Sequence, residues 1–564
     1  MSDSVRPPGM KSVFDPNAAG LPYALPYALL IGWQGLLLAA SNVETSLMAH
    51  DEGWYATLAL GLVRSQNWLS PTWWGQLIYD KTSGVHWMIA AAYSLFGVSE
   101  TAARLPSGLA CLASIALLYA IGSTLLTPRS AFLGALCLST VILWTQYGQL
   151  ATQDMPLVAL ELLAIWALLR AEQRPQQKIG WGILAGLAFG LGFFVKGFMV
   201  ALPALALVPY LVFDHKRHRH LLNPGLYLGL FLGLGLVLYW FWQLWQTHGP
   251  EPFNQLFGIL ALAASADYHG VGPWYYLWNI PANFLPWTPL VVIGLVYLFR
   301  SPPNRPLLLW GYPAILMGLL QLFSTKTIYY PLQLYPFLGL YSGYALDRIL
   351  TSWQSLDRRP ATAKGLSLFY GTVALLGLVF SLGLLSGTWL RLGLLEPALH
   401  GELYGYGVPA LAVCLFWLVH GGSGLGVVVR RSRPLLWLSS LLIGPWLALG
   451  LAGTAGLIGN YSQDVKAFCR QPNISAVLEQ NPVNVVIHDT IDRSDHQTWI
   501  LTSFCSPQWG QRAPAIEALL PGAYAWVSPP IAAAAAAAPD HYDRLGELRG
   551  WALIQASSSA VNLE

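Results

Sequence analysis

Residues 221–247 read LLNPGLYLGLFLGLGLVLYWFWQLWQT, an unbroken stretch of 27 residues without a charged side chain. A helix needs about 20 mostly apolar residues to cross the hydrocarbon core of a bilayer. This stretch is therefore long enough to span a membrane, and its recurrence along the chain decides the fold class.

The pattern recurs over most of the chain. Only 10% of the residues are charged and 55% are hydrophobic, whereas a soluble domain carries about 25% charged residues. Twenty-five tryptophans and 26 tyrosines suit a protein with many membrane–water boundaries. We therefore expect an all-α polytopic membrane protein with about thirteen transmembrane helices. The runs that predict them are 16–43, 105–127, 131–153, 155–169 (interrupted by Glu161), 180–195, 197–213, 221–247, 270–299, 306–325, 327–346, 365–390, 405–429 and 434–463.

The distribution of basic residues predicts the orientation. With the N-terminus in the cytoplasm, 18 lysines and arginines fall in the inner segments and six in the outer loops that precede the C-terminal tail, which is the bias of membrane proteins. The chain is then expected in the inner membrane of a cell, with its larger loops facing the periplasm or exterior. A net charge of +3 is too small to indicate nucleic acid as a partner.

Two outer regions are too long to be simple connections. The first, about 44–104, holds two segments with apolar residues at helical spacing, which predict helices lying in the membrane interface. The second, 462–564, alternates strand-like runs such as AYAWVS at 523–528 with helical stretches. It predicts a small external α/β domain after a transmembrane domain at 1–461. Cys469 and Cys505 either form a disulfide in an oxidising compartment or remain free thiols.

Acidic residues at the outer face are candidates for chemistry, because ionisable groups near a bilayer are costly to keep. Asp51 and Glu52 follow the first apolar run, and Asp154 stands two residues before Pro156. A structural role also explains each of them, because an acid at a helix N-terminus complements the helix dipole.

Basic residues recur on the same predicted face. Lys81, Lys196 and Lys326 lie in three separate loops, and ammonium groups bind phosphate as point charges. Each lysine alone is explained by snorkelling to the interface. His269 either binds a metal or phosphate or is structural. A carboxylate that accepts a proton and cations that stabilise a leaving phosphate are what group transfer from a lipid phosphate needs.

Seven short motifs follow one another in an order that resembles the bacterial aminoarabinose transferase and protein O-mannosyltransferase group. They cover about 45–340. Trp54 and Thr82-Ser83 depart from the arginine and the Pro-Pro of that group, and they leave the sugar and the acceptor open. The motifs are Asp51-Glu52-Gly53-Trp54-Tyr55-Ala56, Lys81 with Trp87, Ala103-Arg104-Leu105-Pro106-Ser107, Asp154-Met155, Val195-Lys196-Gly197, His269 with Pro273 to Tyr276, and Lys326 with Tyr330.

The resemblance implies a glycosyltransferase C fold and a polyprenyl-phosphate sugar donor, with a lipid, glycan or protein acceptor. It implies that Asp51 is the base or acceptor-orienting carboxylate and that Asp154 is its partner. His269 is the candidate for a divalent metal ion, and no other cofactor is expected. The predicted substrate-binding residues are Glu52, Tyr55, Lys81, Arg104, Lys196, Lys326 and Tyr330.

Two other functions fit a multi-span chain. A secondary transporter places its substrate near the midplane between repeats, but the candidate residues here gather at one face and the halves show no clear repeat. A lipid-glycan flippase would move its lipid without a carboxylate pair. We therefore expect a glycosyltransferase and keep both alternatives as rivals.

Overall fold

Helices account for most of the fold. The computed structural model describes residues 21–43, 45–264, 271–356, 358–389, 397–428, 433–488, 491–535 and 542–557. The α-helices are α1 Leu21–Ala40, α2 Trp54–Ser65, α3 Gly84–Phe96, α4 Glu100–Leu125, α5 Pro128–Ser139, α6 Ile142–Tyr147, α7 Asp154–Gln173, α8 Lys178–Lys196, α9 Ala201–Phe213, α10 His215–His218, α11 Pro224–His248, α12 Glu251–Ala264, α13 Tyr275–Asn283, α14 Thr288–Arg300, α15 Tyr312–Leu322, α16 Tyr335–Leu356, α17 Ala361–Trp389, α18 Pro397–Leu425, α19 Pro434–Thr454, α20 Gln463–Cys469, α21 Pro472–Gln480, α22 Arg493–Cys505 and α23 Pro529–Ala535.

Every one of the thirteen predicted runs overlaps at least one of these helices. In the described part of the chain, six helical stretches are long and apolar enough to cross a membrane. The bent pair α13 and α14 makes a seventh if it counts as one span. The number of thirteen crossings stays a prediction. The six stretches are Glu100–Leu125, Pro175–Phe213, Pro224–His248, Ala361–Gly383, Gly405–Leu425 and Pro434–Thr454.

Turns and bends separate several of the neighbouring apolar helices. A turn at Thr140 separates α5 from α6, and a 3₁₀ turn at Gly197–Val200 separates α8 from α9. Helices α13 and α14 meet at an angle of 107°. Breaks of this kind leave backbone groups that only protein or water can satisfy, so they are tolerated where they line a cavity or are covered by protein.

Helices α8 and α11 pack backbone against backbone through glycines spaced four residues apart. A Cβ placed on Gly186 would lie 2.1 Å from the Leu226 carbonyl oxygen, and one on Gly229 would lie 2.0 Å from that of Ile183. By contrast, a Cβ on Gly235 would meet no atom within 4 Å. Small residues at such a seam are how helices associate closely in lipid, where the hydrophobic effect does not drive them together.

The C-terminal part of the chain forms a mixed sheet, while two short strands, β1 Thr72–Trp73 and β2 Gln76–Leu77, form a hairpin in the first loop. Its five strands are β3 Val483–Val486, β4 Trp509–Ala513, β5 Tyr524–Val527, β6 Tyr542–Leu548 and β7 Trp551–Ala556. They are ordered β4-β3-β5-β7-β6, with β3 parallel to β4 and β5 and with β7 antiparallel to β5 and β6. A disulfide between Cys469 and Cys505 ties α20 to α22 beside this sheet.

The C-terminal segment packs directly on the first loop. The Thr57 hydroxyl of α2 donates to the Ile500 carbonyl oxygen at 3.4 Å, and the Trp73 indole N–H donates to the Ser503 hydroxyl at 3.0 Å. Both regions contribute to one hydrophobic cluster. Helix α2 is therefore enclosed by protein on nearly all sides, although the sequence predicts an interfacial helix. Exposed apolar surface remains at the end of α3, where Leu95 is 76% exposed. The domain division at 461/462 stays a prediction.

Candidate active site

Asp51 and Glu52 lie in a single π-helical turn, Ala49–Gly53, which follows the first helix. Adjacent side chains on a helical turn point in different directions, so these two carboxylates lie in different surroundings. Single π turns are frequent at functional sites. The Glu52 side chain is fully buried, whereas Asp51 is partly exposed. Gly53 permits the turn, since a Cβ there would lie 3.1 Å from the Met48 carbonyl oxygen and 3.2 Å from Ile500.

Glu52 forms a buried ion pair with Arg104 of α4. Their side chains are 0% and 2% exposed, and the guanidinium donates to both carboxylate oxygens at 2.5 and 2.8 Å. The carboxylate also accepts from the backbone N–H groups of Met48 and Ala151, at 2.9 and 3.2 Å. The guanidinium further donates to the backbone carbonyls of Ser46 and Gly459.

This network favours a structural role for Glu52 and Arg104, and their binding of substrate stays a prediction. Their polar atoms already bond to protein groups, and neither side chain reaches solvent. The pair instead ties the π turn to α4, to the start of α7 and to the segment that leads into the C-terminal part. It therefore fixes the position of Asp51.

The Asp51 carboxylate has no hydrogen-bond or ion-pair partner among the residues that the structure describes. Burial, followed by the nearby carboxylate of Asp154, raises its pKa. Lys81, Lys196 and Arg493 oppose that rise because their charges favour the ionised form. A partly exposed carboxylate with a raised pKa and no protein partner has the properties of a general base.

Lys81 is held at the head of the loop that follows the β1–β2 hairpin. Its ammonium group lies 2.8 Å from Asp80 and 5.1 Å from the centre of the Tyr55 ring. Burial favours the neutral form of Asp80, but Lys81 and a 2.8 Å hydrogen bond from the Trp54 indole outweigh it and lower the pKa of this carboxyl. Asp80 therefore fixes the lysine charge in place.

Lys196 and Asp154 form an ion pair between two helices that pack side by side. Asp154 is the first residue of α7 and Lys196 is the last of α8. Each charge thus complements the dipole of its own helix. The Lys196 ammonium also lies 5.3 Å from the ring centres of both Tyr329 and Tyr330.

Lys81 and Lys196 both line a cavity of about 240 Å³. Apart from these lysines and Asp80, Thr82 and Gln153, most of the lining is apolar and much of it is aromatic. A cavity with two cations and apolar walls matches a ligand that joins a phosphate to a hydrocarbon chain. Its phenylalanines are Phe193, Phe198, Phe241, Phe253, Phe257 and Phe323.

Other predicted site residues stand outside this cavity. Lys326 is not among its described lining residues, and its ammonium donates to the backbone carbonyl of Phe323, a residue of the wall, at 2.6 Å. Tyr330 contributes its ring face to Lys196. His269 lies outside the described residues. Within the part of the chain that is described, no group of three or more His, Cys, Asp or Glu side chains is arranged to hold a metal ion.

Asp80 and Trp54 lie next to the site but are not among the predicted site residues. Asp80 directly precedes Lys81, so an acid next to a candidate phosphate-binding lysine was the available signal. No sequence signal pairs Trp54 with Asp80 across 26 residues.

Residues 80–242 match the family described as dolichyl-phosphate-mannose-protein mannosyltransferase. Over 471 residues the chain is 28% identical to an undecaprenyl phosphate-alpha-4-amino-4-deoxy-L-arabinose arabinosyl transferase of Pseudomonas fluorescens, covering 80% of this chain and 78% of the relative. A similar transferase of Pseudomonas paraeruginosa is 29% identical over 356 residues, covering 59% of this chain and 62% of the relative.

The fold is similar to that of a solved structure, ArnT from Cupriavidus metallidurans bound to undecaprenyl phosphate. The TM-score is 0.72 at 20% identity, and the alignment covers 96% of this chain and 100% of the other. The predicted fold class is therefore confirmed, and the chain is a multi-pass membrane protein.

Proposed function

Because the chain belongs to the aminoarabinose transferase and protein O-mannosyltransferase-like family of polyprenyl-phosphate-dependent glycosyltransferases, we propose that Asp51 activates the acceptor while Lys81 and Lys196 hold the donor phosphate. The enzyme is a membrane glycosyltransferase that uses a lipid-phosphate-linked sugar. The observation that carries the proposed roles is the cavity that Lys81 and Lys196 line together with apolar, phenylalanine-rich walls.

The proposed reaction is a direct displacement at the sugar. An acceptor hydroxyl attacks the anomeric carbon, its proton passes to the Asp51 carboxylate, and the bond between that carbon and the phosphate oxygen breaks. The electron pair leaves with the polyprenyl phosphate, whose new charge lies beside Lys81 and Lys196. Cations aimed at the charge that develops in the transition state are a principal source of rate enhancement.

The remaining residues are proposed to position these three. Asp80 and Tyr55 hold the Lys81 ammonium, and Asp154 holds that of Lys196. Asp154 is therefore proposed to act mainly by holding Lys196, whereas the resemblance implied that it is the partner of Asp51. Glu52 and Arg104 fix the π turn. Lys326 and Tyr330 lie outside the cavity lining. They are proposed to support the phosphate site through their contacts with Phe323 and Lys196.

The finer features of the function are also proposals. The excess of basic residues in the predicted inner segments favours an active site and a C-terminal segment on the periplasmic or external face of the inner membrane. The acceptor is proposed to be a lipid, glycan or protein hydroxyl that reaches Asp51 from that side. A transporter or flippase would instead move a substrate whose bonds stay intact.

Mass spectrometry of the lipid that co-purifies, followed by a transfer assay with that lipid, tests the proposal. D51N is expected to lower the transfer rate by about 10²- to 10⁴-fold, the usual contribution of a general base, and to leave undecaprenyl phosphate bound. Transfer by D51N at the wild-type rate would contradict the role of Asp51 as the base. Movement of an intact lipid without release of polyprenyl phosphate would favour a flippase.

The lysines are tested separately by binding. K81M and K196M are each expected to weaken undecaprenyl phosphate binding about tenfold or more, because each removes a charge-assisted contact. K216M is the matched control, since Lys216 is an exposed lysine on α10. Equal affinity in all three variants would contradict the proposed donor site.

A further inference from the structure

Three nitrogen-bearing side chains form a second cluster beside Asp51, outside the donor cavity. His50 directly precedes Asp51, whereas Arg493 and His496 come from the first turn of α22 in the C-terminal segment. The Arg493 Nε atom lies 3.4 Å from His50 Nδ1, and His50 Nε2 lies 3.2 Å from His496 Nδ1. More than 440 residues of chain separate the two histidines.

The order of these hydrogen bonds determines which groups remain for a ligand. Arg493 can only donate, so His50 Nδ1 accepts and His50 Nε2–H donates to His496 Nδ1. The proton of neutral His496 is then on Nε2. Arg493 is exposed and forms no ion pair with any described carboxylate. Its remaining N–H groups and the His496 Nε2–H are therefore donors available to an anion.

Nothing in α22 itself explains an arginine at this position. The Asp492 side chain already caps the helix by accepting from the Asp495 backbone N–H at 2.7 Å. The dipole of a helix disfavours a cation in its first turn. A residue that opposes its local helix and faces a candidate active site is a candidate for function.

The cluster stands on the other side of Trp54 from the donor site. The Trp54 indole N–H donates to Asp80, which holds Lys81, while its ring lies 5.8 Å from that of His496. The Trp73 ring lies 5.7 Å from His496 as well. Flat aromatic surfaces with a few polar groups are typical of small-molecule sites.

We propose that Arg493 and His496 form the acceptor side of the active site and bind an anionic group, phosphate or carboxylate, carried on the acceptor sugar next to its reacting hydroxyl. This proposal rests on the proposed function. With the donor phosphate at Lys81 and Lys196, the acceptor approaches Asp51 from the α22 side. Guanidinium groups bind both anions through paired N–H donors.

Binding to the full-length protein saturated with undecaprenyl phosphate tests the proposal, because the lysines are then occupied. The probes are glucosamine 1-phosphate, glucuronic acid, neutral N-acetylglucosamine, and an alkyl glucosaminide phosphate in micelles for a lipid-borne source. We expect wild-type protein to bind at least one anionic probe about tenfold or more tightly than N-acetylglucosamine. The alkyl probe binds better than its soluble counterpart if the acceptor is a lipid and equally if it is a soluble glycan.

R493Q is expected to lower the affinity for the anionic probe about tenfold, and R493K to restore part of it. R512Q is the matched control, because Arg512 is an exposed arginine on β4 of the same segment, and it is expected to bind as the wild type does. Undecaprenyl phosphate affinity should stay unchanged in both glutamine variants.

Three results would overturn the acceptor site. They are no preference of the wild type for any anionic probe, unchanged anionic binding in R493Q, and displacement of undecaprenyl phosphate by the anionic sugars. None of these measurements needs turnover. Failure of the acceptor site therefore leaves the D51N transfer test standing, and failure of that test leaves the binding result readable.

Discussion

Replacing Arg104 with methionine should reveal whether the Glu52–Arg104 pair is structural. The variant would leave the buried Glu52 carboxylate with only two backbone donors, and the Ser46 and Gly459 carbonyls without their guanidinium partner. Removal of one member of a buried pair costs about 3–5 kcal/mol, because the remaining charge is buried without compensation. We therefore expect R104M to lower the free energy of unfolding by about that amount.

The assay is equilibrium unfolding by SDS in mixed micelles, followed by tryptophan fluorescence. The matched control is R549M, since Arg549 forms a two-point ion pair with Asp464 at 2.7 Å, but the side chains are 37% and 52% exposed. An exposed pair of this kind contributes about 0–1 kcal/mol. A cycle of E52Q, R104M and the double variant should give a coupling energy of about 1–3 kcal/mol.

A substrate-binding role for Arg104 makes a different prediction. In that case R104M would raise the KM for donor or acceptor and unfold with the same free energy as R549M. That outcome would refute the structural assignment of the pair. Loss of stability together with recovery of part of it in the double variant would support it.

Three further outcomes follow from the structure. Because the pKa of Asp51 is raised, this carboxylate is protonated at a pH above the usual carboxyl range near 4. The acid limb of kcat/KM should therefore lie above about pH 4. A limb at or below that value would contradict the role of Asp51 as base. G229A should destabilise the helix seam by about 1–3 kcal/mol in SDS unfolding, whereas G235A should leave the midpoint unchanged or raise it. C469S/C505S should destabilise the C-terminal segment by about 2–5 kcal/mol, seen as faster proteolysis in urea, because the disulfide closes a loop with a sequence separation of 36.

The helices were predictable because charge-free length is a direct consequence of bilayer thickness. The same criterion cannot detect a turn inside an apolar run, such as the one at Thr140 or the bend between α13 and α14. It also missed the glycine seam, since a glycine in a helix raises no hydropathy signal. Gly186 and Gly229 are required because a Cβ at either position would lie about 2 Å from a carbonyl oxygen of the other helix, and this crowding exists only after α8 and α11 have packed.

Part of the candidate site was predictable because ionisable side chains are costly to keep near lipid. That cost selected Asp51, Lys81, Asp154 and Lys196, which the structure brings together. It could not separate a carboxylate that is paired and buried from one that has no described partner, so Glu52 was predicted to bind substrate beside the catalytic Asp51. The difference between these neighbours arises from the π turn and from a partner 52 residues away.

No local feature of the sequence predicted that the C-terminal segment contributes residues next to Asp51. Arg493 and His496 belong to a part of the chain without membrane character, and their proximity to His50 depends on how α22 packs on α2. Hydrogen bonds across more than 440 residues are set by tertiary structure alone. An arginine opposed to its own helix dipole is the one local irregularity that marks this position.

The pairing of charges in the site also suggests how donor binding and product release are balanced. Lys81 and Lys196 each have a carboxylate partner, so their charges are compensated before a ligand binds. The sugar-linked phosphate of a donor carries one negative charge, and transfer turns it into a phosphate monoester that carries close to two. Lysines that are already paired with Asp80 and Asp154 would bind the donor only moderately. Their attraction to the phosphate would increase most as its second charge develops. This is the differential stabilisation that accelerates the chemical step, and the same compensation would let the more highly charged product leave.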